Sequence, residues 1–350
     1  MLRVAGIDPG TLSLDCCRLV DGRLAAEGSW PTAQLVEDPT PLLELLLGDG
    51  PLDLVAGPSG YGLPLRRAGE VSDEEFRLAF LMPPGGPGGI GGLRALTRRL
   101  VAADLPLVFT PGVVHLGTVP THRKLNRVDL GTADKLAAAA LAIAEQAERR
   151  MQSPEQVSLV LLELGGAFTA GIAVERGQVV DGVGGTSGPI GWRAAGALDG
   201  EVAFLAGQVS KSLLFEGGVE TIARHRPELR ATAVAAFVEG AARLAWQLRS
   251  AAPGADEILL SGRLADDPAL VARIAEEIGG GVTVRRLEGY AVHAKQGAQG
   301  AALLADGLAG GRYRGLVERL GIREAHGTVL DHLHVISSTD ARRRLGLADG

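Results

Sequence analysis

Leu2-Arg3-Val4-Ala5-Gly6-Ile7-Asp8-Pro9-Gly10-Thr11 decides how this chain is read, because its pattern returns 155 residues later as Val157-Ser158-Leu159-Val160-Leu161-Leu162-Glu163-Leu164-Gly165-Gly166. Each stretch is an apolar run that ends in an acid and, two residues on, a glycine. In the first copy a partner run reaches Val20 and Asp21-Gly22 turns the chain into a third run. In the second a partner run reaches Val174 and Arg176-Gly177 makes the turn. Acid to turn glycine is fourteen residues in both. An acid and a glycine after a strand are ordinary turn chemistry on their own. The matched spacing predicts more: two related hairpin units facing across a cleft, with a phosphate tail between two glycine turns and a metal between two carboxylates.

Composition fits an enzyme of two domains. The 350 residues are enough for two cores of ordinary size, and 46% hydrophobic with 22% charged residues is globular composition. A net charge of -6 argues against the basic surface that nucleic acid needs. Lysine occurs only at 124, 135, 211 and 295, and the remaining basic residues are scattered arginines. Cys16 and Cys17 are adjacent and are the only cysteines, so no disulfide framework is available and a reducing compartment is expected. No apolar stretch has the roughly eighteen residues of a membrane span, and no leader is expected before Leu2. The expectation is a soluble, cytoplasmic protein with neither nucleic acid nor membrane as partner.

Along the chain, strands and helices alternate in an α/β manner. A helix is expected over Pro41–Leu47, a strand over Leu52–Ala56, and a capped helix at Ser72, with Glu75 completing a capping box. A glycine-rich loop over Pro83–Gly92 precedes an expected helix at Leu93–Ala103, and Leu107–Phe109 reads as a strand. Gly131–Arg150 carries the strongest helical pattern. The polar, proline-closed stretch after it marks a boundary, so an N-terminal lobe of 1–150 and a C-terminal lobe of 151–312 are expected. The second lobe shows strands at Val157, Phe168, Gln178, Glu257–Leu260 and Val282–Arg285. Its helices fall at Leu229–Arg249, Pro268–Ile278 and Lys295–Ala309. Residues 313–350 form an appendix with no legible role.

Two further clusters carry candidate chemistry. Gly131-Thr132-Ala133-Asp134-Lys135 stands at the start of the strong helix. An acid there is favoured by the helix dipole, yet Thr132 is the better cap, which frees Asp134 to align or deprotonate an acceptor and Lys135 to neutralise phosphate. Ser261-Gly262-Arg263 follows a strand with a glycine turn of the kind that lets an adenine ring approach backbone. Arg123, Lys124, Asn126, Arg127 and Asp129, with His115 and His122, form a polar loop that either faces substrate or is solvated. The GxGxxG match at Gly86–Gly91 follows no clear strand and contains a proline, so a dinucleotide fingerprint is not expected. His332 and His334 lack a third metal ligand.

Gly6-Ile7-Asp8-Pro9-Gly10-Thr11, Glu163-Leu164-Gly165-Gly166-Ala167-Phe168-Thr169 and Ile258-Leu259-Leu260-Ser261-Gly262 resemble the phosphate-1, phosphate-2 and adenosine motifs of the acetate and sugar kinase, heat-shock chaperone and actin superfamily. The resemblance implies two ribonuclease H-like (actin-like ATPase) lobes with ATP and Mg²⁺ in the cleft between them. Arg123-Lys124-Leu125-Asn126-Arg127, followed by Gly131-Thr132-Ala133-Asp134-Lys135, is similar to a prokaryotic family of predicted butyrate kinases. Ala298-Gln299-Gly300-Ala301 resembles that family's C-terminal helix. Two departures stand out. Butyrate and acetate kinases usually begin with Asn-Pro-Gly-Ser where this chain has Asp8-Pro9-Gly10-Thr11, and their second motif carries a His where this chain has Glu163. The Gly-Thr-Ala-Asp-Lys run also resembles the Gly-Ala-Asp-Arg motif of type III pantothenate kinases, whose Asp serves the acceptor hydroxyl.

These motifs imply an ATP-dependent phosphotransferase acting on a short carboxylate and forming an acyl phosphate. Asp8 and Glu163 would order Mg²⁺; Gly10, Thr11, Gly165, Gly166 and Thr169 would meet phosphate oxygens; Ser261, Gly262 and Arg263 would meet the adenosine. Arg123 or Arg127 would pair with the acceptor carboxylate in bidentate fashion. A small-alcohol kinase is the alternative that gives Asp134 a task, and a slow ATPase switch whose lobes close on nucleotide is a second. A homodimer is compatible with the resemblance.

Overall fold

The protein is described by a computed structural model over residues 1–10, 12–48, 50–58, 60–83, 99–100 and 102–347. Thr11, the Gly86–Gly91 run and most of the helix expected at Leu93–Ala103 lie outside those residues. The first sheet contains β1 (Arg3–Pro9), β2 (Ser13–Val20), β3 (Arg23–Pro31), β4 (Leu54–Pro58), β5 (Arg66–Arg67) and β6 (Leu107–Thr110), in the order β3-β2-β1-β4-β6-β5. The second contains β7 (Leu159–Leu164), β8 (Thr169–Glu175), β9 (Gln178–Val183), β10 (Glu257–Ser261) and β11 (Thr283–Arg286), in the order β11-β10-β7-β8-β9. Setting β7 on β1, β8 on β2, β9 on β3, β10 on β4 and β11 on β6 makes the two orders identical apart from the added edge strand β5. The apolar runs form these strands because each is short, rich in branched residues and bounded by turn chemistry.

The duplication holds at finer grain. Asp21-Gly22 and Arg176-Gly177 both have positive φ at both positions (49° and 72°, 51° and 76°), the backbone of a type I′ hairpin. The register shift in the β2–β3 ladder falls at Arg18/Leu19 and that in the β8–β9 ladder at Ala173/Val174, again 155 residues apart. These are two ribonuclease H-like units. Among the described residues, no helix is long and apolar enough to cross a membrane.

Helices fill the remaining layers: α1 (Thr32–Glu37), α2 (Thr40–Leu47), α3 (Asp73–Phe80), α4 (Thr121–Lys124) and α5 (Ala133–Arg150) come first, and α3 has the expected Ser72–Glu75 capping box. Next in the chain are α6 (Gly200–Ala206), α7 (Val219–His225), α8 (Arg230–Ala251), α9 (Pro268–Ile278) and α10 (Gln296–Leu308), then α11 (Arg314–Leu320) and α12 (Ser338–Arg344). The outer face of the first sheet is closed by Leu35, Leu42, Leu46, Phe76 and Phe80, and that of the second by Phe237, Leu244, Leu248, Leu270 and Ile274. Between the sheets runs a shared core to which α5, α10 and residues of both sheets contribute. Although α10 follows β11 in the chain, it lies on β1: a Cβ on Gly6 would stand 2.0 Å from the Ala302 amide nitrogen. It crosses α5 as closely, since a Cβ on Gly300 would stand 1.8 Å from the Ala137 carbonyl oxygen. Alanine on α5 and glycine and alanine on α10 permit this backbone contact, which no larger side chain would.

Residues 313–347 are part of the same body. Leu316, Val317, Leu320, Val329, Leu330, Leu345 and Leu347 are buried in the shared core. The segment also bonds both sheets' surroundings: Asn126 Oδ1 accepts the His334 and Val335 amides, and Arg319 Nε donates to the Arg176 carbonyl.

Candidate functional site

β1 and β7 end side by side with the N-termini of α5 and α10, and this junction collects the charged groups. Gly10 N–H donates to the Ser13 carbonyl (2.9 Å), and Gly165 N–H donates to the Phe168 carbonyl (3.0 Å), so the two glycine turns share one internal bond. A Cβ on Gly166 would meet nothing within 4 Å, which leaves the second turn's backbone open to a ligand. Asp8 closes β1 against the first turn of α10, where a Cβ on Gly297 would fall 2.4 Å from Asp8 Oδ2. A carboxylate and a helix N-terminus are complementary, and glycine at 297 is what lets them meet.

Lys135 Nζ lies 2.5 Å from Asp134 Oδ2 and 3.3 Å from Glu163 Oε2, so one ammonium joins the start of α5 to the end of β7. Thr132 Oγ1 donates to Asp134 Oδ1 at 2.5 Å. Thr132 therefore does not cap the helix with its own side chain but anchors Asp134. Burial works to raise the Asp134 pKa, yet Lys135 and Thr132 outweigh it and hold the acid below its ordinary range. Burial likewise pulls on Lys135, but Asp134, Glu163 and Asp8 keep it firmly protonated. Burial raises Glu163, with Lys135 opposing. Asp8 is pushed up to about 7, first by burial and then by the negative charge of Asp134. One acid in this group is thus locked as a carboxylate while another changes charge near neutral pH.

Two cations at the turns were not singled out from sequence. Lys295, just before α10, places Nζ 2.5 Å from Ser13 Oγ and 3.2 Å from Asp15 Oδ2, and 3.3 Å from where a Cβ on Gly10 would be. Its charge also acts on Asp8 and Glu163, so both turns border one space. Arg193 Nε donates to the Gly166 carbonyl at 3.2 Å on the second turn. Neither sits in a motif, and each reaches the site only through the fold; the scarcity of lysine was the one available signal for Lys295. Lys211 is a third, with Nζ 5.1 Å from the centre of the Tyr61 ring. The residue beside Tyr61, Gly60, accepts the Ala133 amide at the head of α5.

The remaining sequence candidates divide. Asp8, Gly10, Asp134, Lys135, Glu163, Gly165 and Gly166 come together at the junction. Ser261 pairs with Glu163 across β10 and β7, and Gly262, at φ +85°, lies against the Leu164 carbonyl. Ser261 itself is buried with Oγ turned to the Leu162 carbonyl, while Arg263 is exposed. Thr169 is fully buried and spends its hydroxyl on the Ile190 carbonyl. Arg123 donates to the Val180 carbonyl and pairs with Asp181, tying α4 to β9. Arg127 makes no side-chain hydrogen bond or ion pair among the described residues. The polar loop's Asp129 is structural: it accepts from the Thr186 amide and hydroxyl and from the Gly131 amide.

For a divalent ion the fit is poor. Direct ligation needs several oxygens at roughly 2.0–2.6 Å from one point, and the Lys135 ammonium stands between the two nearest carboxylates. Among the described residues, no group of three ligating side chains is placed to hold a metal.

Known proteins place this arrangement in a family. A family model described as a protein of unknown function (DUF1464) matches residues 6–335. The chain belongs to that family. No curated protein matches this DUF1464 chain. Among solved structures it is similar to a propionate kinase from Francisella tularensis subsp. tularensis SCHU S4, at 12% identity and TM-score 0.57 over 86% of this chain and 98% of that one. It is similar also to acetate kinase from Porphyromonas gingivalis (13%, 0.56, 86% and 98%) and to acetate kinase from Entamoeba histolytica (10%, 0.55, 79% and 86%). At such identity the likeness is one of fold: the two-lobed, actin-like architecture of the acetate and propionate kinases. The family's description names no substrate, and none of these structures is a butyrate kinase.

Proposed function

We propose that the chain is an ATP-dependent kinase of small acceptors, with a short carboxylate such as butyrate as the favoured one and an acyl phosphate as product. The observation that carries this reading is the pair of matched glycine turns, each with a cation beside it, Lys295 at the first and Arg193 at the second. Phosphoryl transfer asks a protein mainly for positioning and for positive charge near the moving group, and Lys135 adds that charge midway. Gly166 would offer its backbone N–H to a phosphate oxygen, Gly10 and Gly165, whose own N–H groups close their turns, would let the chain pass close to the phosphates, Gly262 would border the adenosine, and magnesium, ATP's usual companion, would arrive with the nucleotide. Among the described residues, Arg127 and Lys211 are cations that could receive an acceptor carboxylate, since Arg123 is held by Val180 and Asp181. The two buried free thiols, Cys16 and Cys17, suit a cytoplasmic setting.

A carboxylate acceptor is already ionised at neutral pH and needs no base. Asp134, pinned by Lys135 and Thr132, is a poor base, which favours that acceptor. One observation supports a hydroxyl acceptor instead: Asp8, with its pKa of about 7, is suited to proton abstraction. Incubation with ATP and butyrate, acetate or pantothenate, with hydroxylamine to trap acyl phosphate, separates the two. Hydroxamate from a short carboxylate is the expected result. Phosphorylation of pantothenate alone would move the assignment to the alcohol kinase, and ATP hydrolysis indifferent to every acceptor would move it to a nucleotide switch.

A further inference from the structure

The junction brings the carboxylates of Asp8 and Glu163 each within electrostatic reach of Asp134, and the Lys135 ammonium within 3.3 Å of Glu163. Acids crowded in this way are stable as carboxylates only with a cation or protons among them. Here the cation is covalent. Lys135 Nζ bonds Asp134 at 2.5 Å and approaches Glu163 at 3.3 Å, and Asp8 acts on it across the same space. Its backbone is fixed: the Lys135 amide donates to the Thr132 carbonyl, and the helix behind it is packed through buried alanines against α10.

From this geometry we infer that Lys135 is the resident cation of this junction and excludes divalent metal from direct ligation by Asp134 and Glu163. A magnesium or manganese ion placed between those carboxylates would face the ammonium at contact distance, where like charges repel strongly even at an effective dielectric of about 20. Without nucleotide, Asp134 and Glu163 therefore offer a divalent ion no direct ligand pair. A metal enters only on phosphate oxygens that supply ligands of their own. The inference stands on the ion pairs and does not require the chain to be a kinase.

The probe is Mn²⁺ alone, added to nucleotide-free protein, with free and bound ion separated by electron paramagnetic resonance. Wild type and Lys135→Arg are expected to bind no Mn²⁺ at millimolar concentration, whereas Lys135→Met gains a site tighter than wild type by about tenfold or more. That gain disappears in Lys135→Met combined with Glu163→Gln. Loss of the gain in a folded Lys135→Met protein overturns the inference. If Lys135→Met does not fold, wild type and Glu163→Gln decide instead: Mn²⁺ bound tightly by wild type and lost in Glu163→Gln means direct ligation and the inference falls, while no difference between the two supports it. Either outcome leaves the acyl-phosphate assay untouched, so the two readings fail separately.

Discussion

Asp8 is the residue on which chemistry and stability pull against each other. Its carboxyl titrates near 7 in the folded chain against 3.8 for the unfolded reference, so between those values the fold holds a proton that the unfolded chain has released. Stability from this group is fully present below about pH 4 and is lost as pH rises through 7. Asparagine cannot titrate. Asp8→Asn should therefore unfold at higher urea than wild type at pH 8 and show much less difference at pH 5, while phosphotransfer falls on the order of a hundredfold, the scale of one lost transition-state contact. Equal urea midpoints for the two proteins at pH 8 would remove Asp8 from the half-buried, charge-crowded position described for it. The residue scale also shows the limit of motif reading. Asp8, Asp134 and Glu163 were legible because their types and offsets are local signals. Lys295 and Arg193 were not, because each is brought to a turn from a distant element by packing. Thr169 and Arg123 were misleading in the opposite way: both look polar and available in the sequence, and the fold turns both onto backbone carbonyls.

At the scale of elements, most strands and helices follow from periodicity and turn chemistry, and the hairpin repeat fixes the two sheets. The strand expected at Leu52–Ala56 slides to Leu54–Pro58 because β4 takes its register from β1 and β6. The position of α10 was not legible. It follows β11, and its return to β1 rests on small residues at 6, 297 and 300 whose meaning is steric and appears only once a partner backbone is known. Gly300→Ala tests this contact. Alanine is favoured over glycine within a helix by about 1 kcal/mol, so a free-standing helix would gain. Here the new Cβ would press on the Ala137 carbonyl, and overpacking against backbone costs about 3 kcal/mol. The expected result is a net loss of stability by urea denaturation; a gain would mean that α5 and α10 are not in close contact.

For the whole molecule, the appendix over 313–350 was the least legible part, because its apolar residues follow neither helical nor strand period over much of their length. They are spaced to reach a core that the two lobes build. Cutting the chain after residue 312 should uncover the Leu316, Val317 and Leu320 face and the Val329–Leu330 contact, and give protein that is poorly soluble or shows non-native exposure by dye binding. A soluble truncated chain with unchanged melting would show that the segment is an ornament. The crossing of α5 and α10 has a consequence for movement. Two rods pressed backbone to backbone where they cross resist sliding lengthwise more than swivelling, as the blades of shears turn about their pin. Any narrowing of the cleft around a ligand would then be a rotation centred near Ala137 and Gly300, smallest there and greatest at the far rims of the two sheets.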